Sequence, residues 1–253
     1  MRLSVDAVTG RRATRNVLAD TASVGDGPVT IVGAHLDSVA EGPGINDNGS
    51  GSAAVLEAAL RLAQERTQGR GRVRFAFWGA EERGLIGSHH HVEAMSDDER
   101  RNIALYINLD MVGSPNFARY IQGSGPSGDG VAAVARRELV ADFREHGLPF
   151  EERTGSRFGT DDASFSQKGI STVGLYTGGG GPKSEAQTSL FGGAAGRPYD
   201  PCYHQACDTI ANINRQVLEE NTRALVRALN AATVVRGLGT HSQEVADPPE
   251  PKL

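Results

Sequence analysis

At 253 residues the chain is long enough to bury the core of one α/β domain. With 38 % hydrophobic residues and a net charge of −5, it has no electrostatic reason to gather on phosphates, which argues against nucleic acid as a partner. No apolar run approaches the roughly 20 residues that a membrane span needs, and the opening segment MRLSVDAVTGRR lacks the apolar stretch of a signal peptide.

In chain order, residues 11–19 read as a strand that begins abruptly, so an upstream segment is expected to precede it. Residues 29–33 are a short apolar run leading to His35, the pattern of a buried strand. Residues 42–51 form a glycine-rich loop. Residues 52–65 read as a helix, with Val55, Leu56, Ala59, Leu60, Leu62 and Ala63 along one stripe. A second core strand spans 73–78 and stops just before Glu81 and Glu82. A third spans 103–111 and carries Asp110 near its end. An amphipathic helix follows at 131–146, a short strand at 150–153, a β-rich run at 171–177 and a Gly/Ser-rich loop at 178–196. Residues 216–235 read as a last helix. We expect one catalytic domain over 1–236 and a disordered polar tail over 237–253, which contains Pro-Pro-Glu-Pro.

Strands alternating with helices predict an α/β fold: a mostly parallel, mixed central sheet with helices on both faces. In such open sheets ligands bind outside the carboxyl ends of the strands. His35, the Glu81–Glu82 pair and Asp110 each follow the end of a different predicted strand, so three strands deliver metal-type ligands to one edge.

These residues, with Asp47 and His204, form a set of two imidazoles and three carboxylates that suits zinc, and manganese or cobalt less selectively. Five ligands exceed the three that one catalytic zinc takes beside its water. They suit two metals sharing a bridging carboxylate, which acidify a water held between them. A further carboxylate must then take that water's proton, and Glu81 is the spare. Asp37, two residues past His35, is placed to orient the imidazole by accepting its other N–H. The run His89–His90–His91 is a decoy: on a helix consecutive side chains diverge by about 100° and do not converge on one ion. The chain's two cysteines, Cys202 and Cys207, bracket Tyr203 and His204. By themselves they allow a small disulfide loop, a reduced pair or a pair of thiol ligands.

Five ordered blocks, Gly-Ala-His35-Leu-Asp37-Ser, Gly44-Ile-Asn-Asp47-Asn-Gly-Ser-Gly, Trp78-Gly-Ala-Glu81-Glu82-Arg-Gly-Leu-Ile-Gly-Ser, Asn108-Leu-Asp110-Met-Val-Gly-Ser and Cys202-Tyr-His204-Gln-Ala-Cys207-Asp, resemble the secreted bacterial two-zinc aminopeptidases of the Streptomyces type. The resemblance runs from about Gly10 to Val235. It implies a zinc-exopeptidase fold, two Zn2+ ions, an extracellular monomer and peptide substrates with a free N-terminus and a large apolar first residue. It gives His35 and Asp110 to one zinc, Glu82 and His204 to the other, and makes Asp47 the bridge. It further implies Glu81 as general base, Tyr203 as hydrogen-bond donor to the developing oxyanion, and Asp37 as partner of His35. A cis Asp47–Asn48 bond, a Cys202–Cys207 disulfide and Tyr176 as a wall of the side-chain pocket follow from it too.

The chain departs from that family in three places. Gly159 stands where relatives often carry arginine, leaving Arg157, two residues upstream, as the candidate substrate-positioning cation. Glu219 and Arg223 occupy the final-helix positions at which some members bind calcium, so no calcium is expected. A stretch of roughly 50 residues that the resemblance places ahead of this point is expected to be absent from the sequence as read. The alternative readings are a binding module that has kept the fold without the chemistry, and a related zinc amide hydrolase or glutaminyl cyclase.

Overall fold

The computed structural model describes residues 4, 10–21, 27–64, 71–123, 130–154 and 159–234. Seven strands form one sheet: β1 (Val17–Asp20), β2 (Val29–His35), β3 (Arg72–Trp78), β4 (Ile103–Leu109), β5 (Tyr120–Gly123), β6 (Glu151–Thr154) and β7 (Thr172–Tyr176). Their order is β1-β3-β2-β4-β7-β5-β6. The pairs β2–β3, β2–β4, β4–β7 and β5–β6 are parallel, while β1–β3 and β5–β7 are antiparallel. The mostly parallel mixed sheet read from the sequence is therefore present.

Every residue of β2 is buried, as expected for a central strand covered on both faces. On one face Val32, Ala34, Phe75, Leu105, Ile107 and Leu109 pack against three helices: α1 (Gly51–Gln64), α4 (Val131–Glu145) and α7 (Arg215–Val234). Arg223 and Arg227 of α7 tie that helix to Asp142, Glu138 and Glu145 of α4. The other face carries a smaller core of Val29, Ile31, Ala76, Trp78, Tyr106 and Phe165, closed by α2 (Ile86–Glu93) and α5 (Asp162–Ser166). Within it the Tyr106 and Phe165 rings stack at 3.8 Å.

The first strand is shorter than read, beginning at Val17 rather than at residue 11. Besides α5, two short helices that begin on a recognisable signal were not read from the sequence: α3 (Asp97–Arg101), and α6 (Glu185–Phe191) inside the segment expected to be loop. Each starts with a capping box, Ser96 with Glu99 and Ser184 with Gln187. Strand β5 was also missed. The expected tail at 237–253 lies outside the described residues, and among the described residues no helix is long and apolar enough to cross a membrane.

Candidate active site

The carboxyl ends of β2, β3 and β4 open on one edge of the sheet, and three candidate residues arrive there directly. His35 is the last residue of β2, Asp110 follows β4, and Glu81 and Glu82 lie in the turn after β3. Asp47 comes from the tight turn between β2 and α1, with a cis Asp47–Asn48 peptide bond. Asn48 anchors that turn: its Nδ2 donates to the Leu109 carbonyl (2.9 Å), while its Oδ1 accepts the N–H groups of Gly51 (2.9 Å) and Met111 (3.2 Å). His204 comes from the loop closed by the Cys202–Cys207 disulfide, which the structure contains.

These side chains meet around Asp47. Its Oδ1 lies 3.2 Å from His35 Nε2 and its Oδ2 lies 3.0 Å from His204 Nε2, so one carboxylate spans both imidazoles. His35 Nε2 is also 3.4 Å from Asp110 Oδ1, and His204 Nε2 is 3.2 Å from Glu82 Oε2. Two half-sites result, His35 with Asp110 and His204 with Glu82, joined by Asp47. Two ligands about 2.1 Å from one tetrahedral ion stand about 3.4 Å apart, so these separations suit a metal within each half. The hydrogen-bond inventory agrees: the buried atoms Glu82 Oε1, Asp110 Oδ1 and His204 Nε2 have no hydrogen-bond partner. Ligand atoms of His35, Glu81 and Asp110, and of His35, Asp47 and Glu82, cluster within 4.8 Å of one another. The donor set present, imidazole with carboxylate, fits zinc.

So dense a group of acids perturbs its own protonation. Burial, and then the Asp110 charge, push Glu81 up to about 9. Burial and Asp47 push Glu82 up to about 7. Burial opposes the charged form of His35, but the carboxylates of Asp110 and Asp47 outweigh it and hold the imidazole well above its usual range. The cluster lacks positive charge and takes up protons in its place.

Asp37 meets both His35 and the turn after β3. The His35 Nδ1–H points at the backbone carbonyl of Asp37, 3.0 Å away, while the Asp37 carboxylate is 3.8 Å off. That carboxylate instead accepts the N–H groups of Glu81 (2.9 Å) and Glu82 (3.3 Å), fixing the turn that carries both acids. With Nδ1 held by that carbonyl, Nε2 is the ring nitrogen turned to Asp47 and Asp110, and it can bind a metal once it gives up its proton.

Around this cluster lies a cavity of about 120 Å³ lined also by Met111, Gln122, Gly159, Thr160, Tyr176 and Tyr203. Tyr176 thus lies at the cavity that holds the cluster. The Tyr203 ring stacks on His204 at 3.8 Å and lies so close over Gly180 that a Cβ there would come within 2.9 Å of Tyr203 Cδ1. Burial, with the Asp47 and Glu82 charges, raises the Tyr203 phenol, which keeps its proton and remains a donor. Arg157 lies outside the described residues. The histidine run falls on α2 without converging: His89 and His90 are exposed, and His91 packs on Trp78 at 5.0 Å.

Sequence reasoning gave no role to Thr160, whose hydroxyl donates to Asp110 Oδ2 at 2.7 Å, nor to Met111 and Gln122. Only the position of Thr160 and Met111 beside quoted motif residues hinted at them.

The sequence profile of peptidase family M28 matches residues 16–229. An aminopeptidase of Pseudomonas aeruginosa is 46 % identical over 230 residues, covering 89 % of this chain and 42 % of that protein. Leucine aminopeptidase 2 of Trichophyton equinum is 40 % identical over 241 residues, covering 93 % of this chain and 48 % of that protein. The solved structure of BSAP, a zinc aminopeptidase from Bacillus subtilis, superposes with a TM-score of 0.69 at 26 % identity, covering 86 % of this chain and 50 % of that one. The chain thus spans about half the length of these relatives or less. The fold, the profile and the relatives agree: the chain belongs to peptidase family M28.

Proposed function

We propose that the chain is the catalytic part of a zinc aminopeptidase that removes the first residue of peptides, with His35, Asp47, Glu82, Asp110 and His204 holding two zinc ions. The observation that carries this reading is Asp47, whose two oxygens face His35 and His204 at 3.2 and 3.0 Å. The names of the relatives support it. Zinc is favoured over manganese or cobalt by the mixed imidazole and carboxylate set.

When bound, two zinc ions supply an acidified water and polarise the scissile carbonyl. The chain's own residues do the rest. Glu81 lies beside the His35–Asp110 half-site but is the carboxylate left over once the five ligands are assigned, the place of a group that takes a proton from water and returns it to the leaving amine. Tyr203, still protonated, donates to the oxyanion that forms on the carbonyl oxygen. The acids Glu81, Glu82 and Asp110 in the cavity lining attract the substrate's α-ammonium, which favours cleavage one residue from the terminus. Met111 and Tyr176 offer apolar surface to the first side chain, in keeping with a leucine-type preference. The disulfide supports an oxidising, extracellular location.

The test is zinc content together with hydrolysis of leucine p-nitroanilide, with and without chelator, on wild type and Glu81→Gln. Two zinc ions per chain, chelator-sensitive cleavage and a kcat lowered roughly 10²–10⁴-fold in the zinc-loaded variant are expected. A folded protein that takes up no zinc sinks the reading, and near-normal turnover by Glu81→Gln removes Glu81 from its role.

A further inference from the structure

The two loops that supply Asp47 and His204 are far apart in sequence, yet they are bound together behind the site by a pair of acids. Asp208 and Asp200 are each only 1 % exposed. Asp208 Oδ1 accepts the backbone N–H of Asn46 at 2.9 Å, and its Oδ2 accepts the backbone N–H of Asp47 itself at 3.1 Å. The Asp208 carbonyl accepts the N–H of Ile45 at 3.1 Å. Asp200 Oδ2 accepts Asn46 Nδ2 at 2.6 Å, and Asp200 Oδ1 accepts the N–H of Cys202 at 2.8 Å. Asn212 Nδ2 joins the acids, 2.8 Å from Asp200 Oδ1 and 3.2 Å from Asp208 Oδ1. Asp200 and Asp208 also flank the segment that contains Cys202, Tyr203, His204 and Cys207, so both ends of the disulfide loop are fastened to the turn of Asp47.

Neither acid has an arginine or lysine partner among the described residues. Burying two carboxylates against neutral amides is an expensive way to join two loops, because apolar contacts would do so without the desolvation cost. What a carboxylate adds is a rigid pair of acceptors and a negative charge. Here both oxygens of Asp208 point at consecutive amides, one belonging to the residue that links the two half-sites. The acid therefore fixes where Asp47 sits relative to His204, and its charge favours cations just beyond.

We propose that Asp208, seconded by Asp200, is a positioning residue of the metal centre: it sets the Asp47–His204 spacing and raises metal affinity without touching metal or substrate. This rests on the two-zinc reading above. Asp208→Asn tests it, because the amide keeps the shape, loses the charge and turns an NH2 group toward one of two backbone N–H groups that need an acceptor.

The measurements are zinc affinity by competition with a chromophoric chelator, the visible spectrum of the cobalt-loaded protein, and thermal unfolding of the metal-free protein. Zinc affinity is expected to fall roughly 10–100-fold with a changed cobalt spectrum, and Asp200→Asn, which touches no atom of Asp47, is expected to lose less. A role confined to fold stability would lower the unfolding temperature yet leave the folded protein's zinc affinity and cobalt spectrum as in wild type, and that result overturns the inference. Should Asp208→Asn fail to fold, Asn212→Ala carries the same test, with weakened zinc binding expected and unchanged binding overturning it. Failure of wild type to bind zinc would sink the two-zinc reading and this inference with it. A wild type that binds zinc beside variants that match it would sink this inference alone.

Discussion

Removing one hydroxyl, at Tyr106, is expected to be felt both in the core and at the site. Its oxygen accepts Trp78 Nε1–H at 2.9 Å and donates to Asn108 Oδ1 at 2.8 Å. The chain continues as Asn108 Nδ2 donates to Thr160 Oγ1 at 3.2 Å, and Thr160 Oγ1 to Asp110 Oδ2 at 2.7 Å. Tyr106→Phe retains the ring and its stack on Phe165 but orphans the Trp78 N–H and the Asn108 carbonyl, both buried. The bond lies hard against Gly33, where a Cβ would fall 2.6 Å from Trp78 Nε1 and 2.8 Å from the Tyr106 oxygen. At about 1–3 kcal/mol for each orphaned group, the loss should be about 3 kcal/mol. Urea unfolding read from the fluorescence of Trp78, the only tryptophan, measures it at the affected bond. Gly33→Ala should break the same bond from the other side with a comparable loss. A Tyr106→Phe variant within about 0.5 kcal/mol of wild type, the range of surface substitutions, would show that the hydroxyl's two bonds carry no such energy.

Much of this arrangement was legible in the sequence because the sheet imposes it. An apolar strand that ends in a polar residue advertises both the strand and the edge where it stops, and that signal located His35, the Glu81–Glu82 turn and Asp110. Asp47 and His204 carry no such signal: both lie in irregular segments, and it is their residue types and the family resemblance that brought them into the set. The short helices were lost for a local reason. In α6 the surrounding glycines and serines suggested loop, although Ser184 and Gln187 already spelled a helix start. In α3 the charged run lacks an apolar stripe and depends on the Ser96–Glu99 box. Least legible were the acceptors behind the site. Asp208 meets Asn46 and Asp47 across 162 and 161 positions of chain, and no periodicity encodes a contact of that separation. That His35 would meet Asp37 through a backbone carbonyl, which every residue has, is nothing that a side-chain pattern encodes.

Three other outcomes are expected. Replacing Cys202 and Cys207 together by serine should cost about 2 kcal/mol from loop closure, yet zinc should still bind, because Asp200 and Asp208 hold both ends of the loop; zinc titration of the double variant checks this. Glu220→Ala leaves Arg119, 4 % exposed and paired with it, as a buried lone charge. It should cost about 3–5 kcal/mol in urea unfolding, lessened by the Phe117 ring 4.7 Å from the guanidinium.

The third outcome concerns pH. In metal-free protein burial pushes Glu81 up to about 9, Glu82 to about 7 and Asp161 to about 7, while nearby carboxylates keep His35 protonated above its usual range. Unfolded, the same carboxyls titrate near about 4 and the imidazole near about 6.5. Between those values the folded chain binds more protons than the unfolded one, so its stability falls as pH rises, from about 5 to about 9. Zinc replaces those protons as the source of positive charge, so its binding should release protons and its stabilising effect should grow with pH. Thermal unfolding of chelator-treated protein across this range, repeated with zinc, reads both effects. A metal-free profile that is flat or rises with pH would show that these acids are not crowded together without compensating charge.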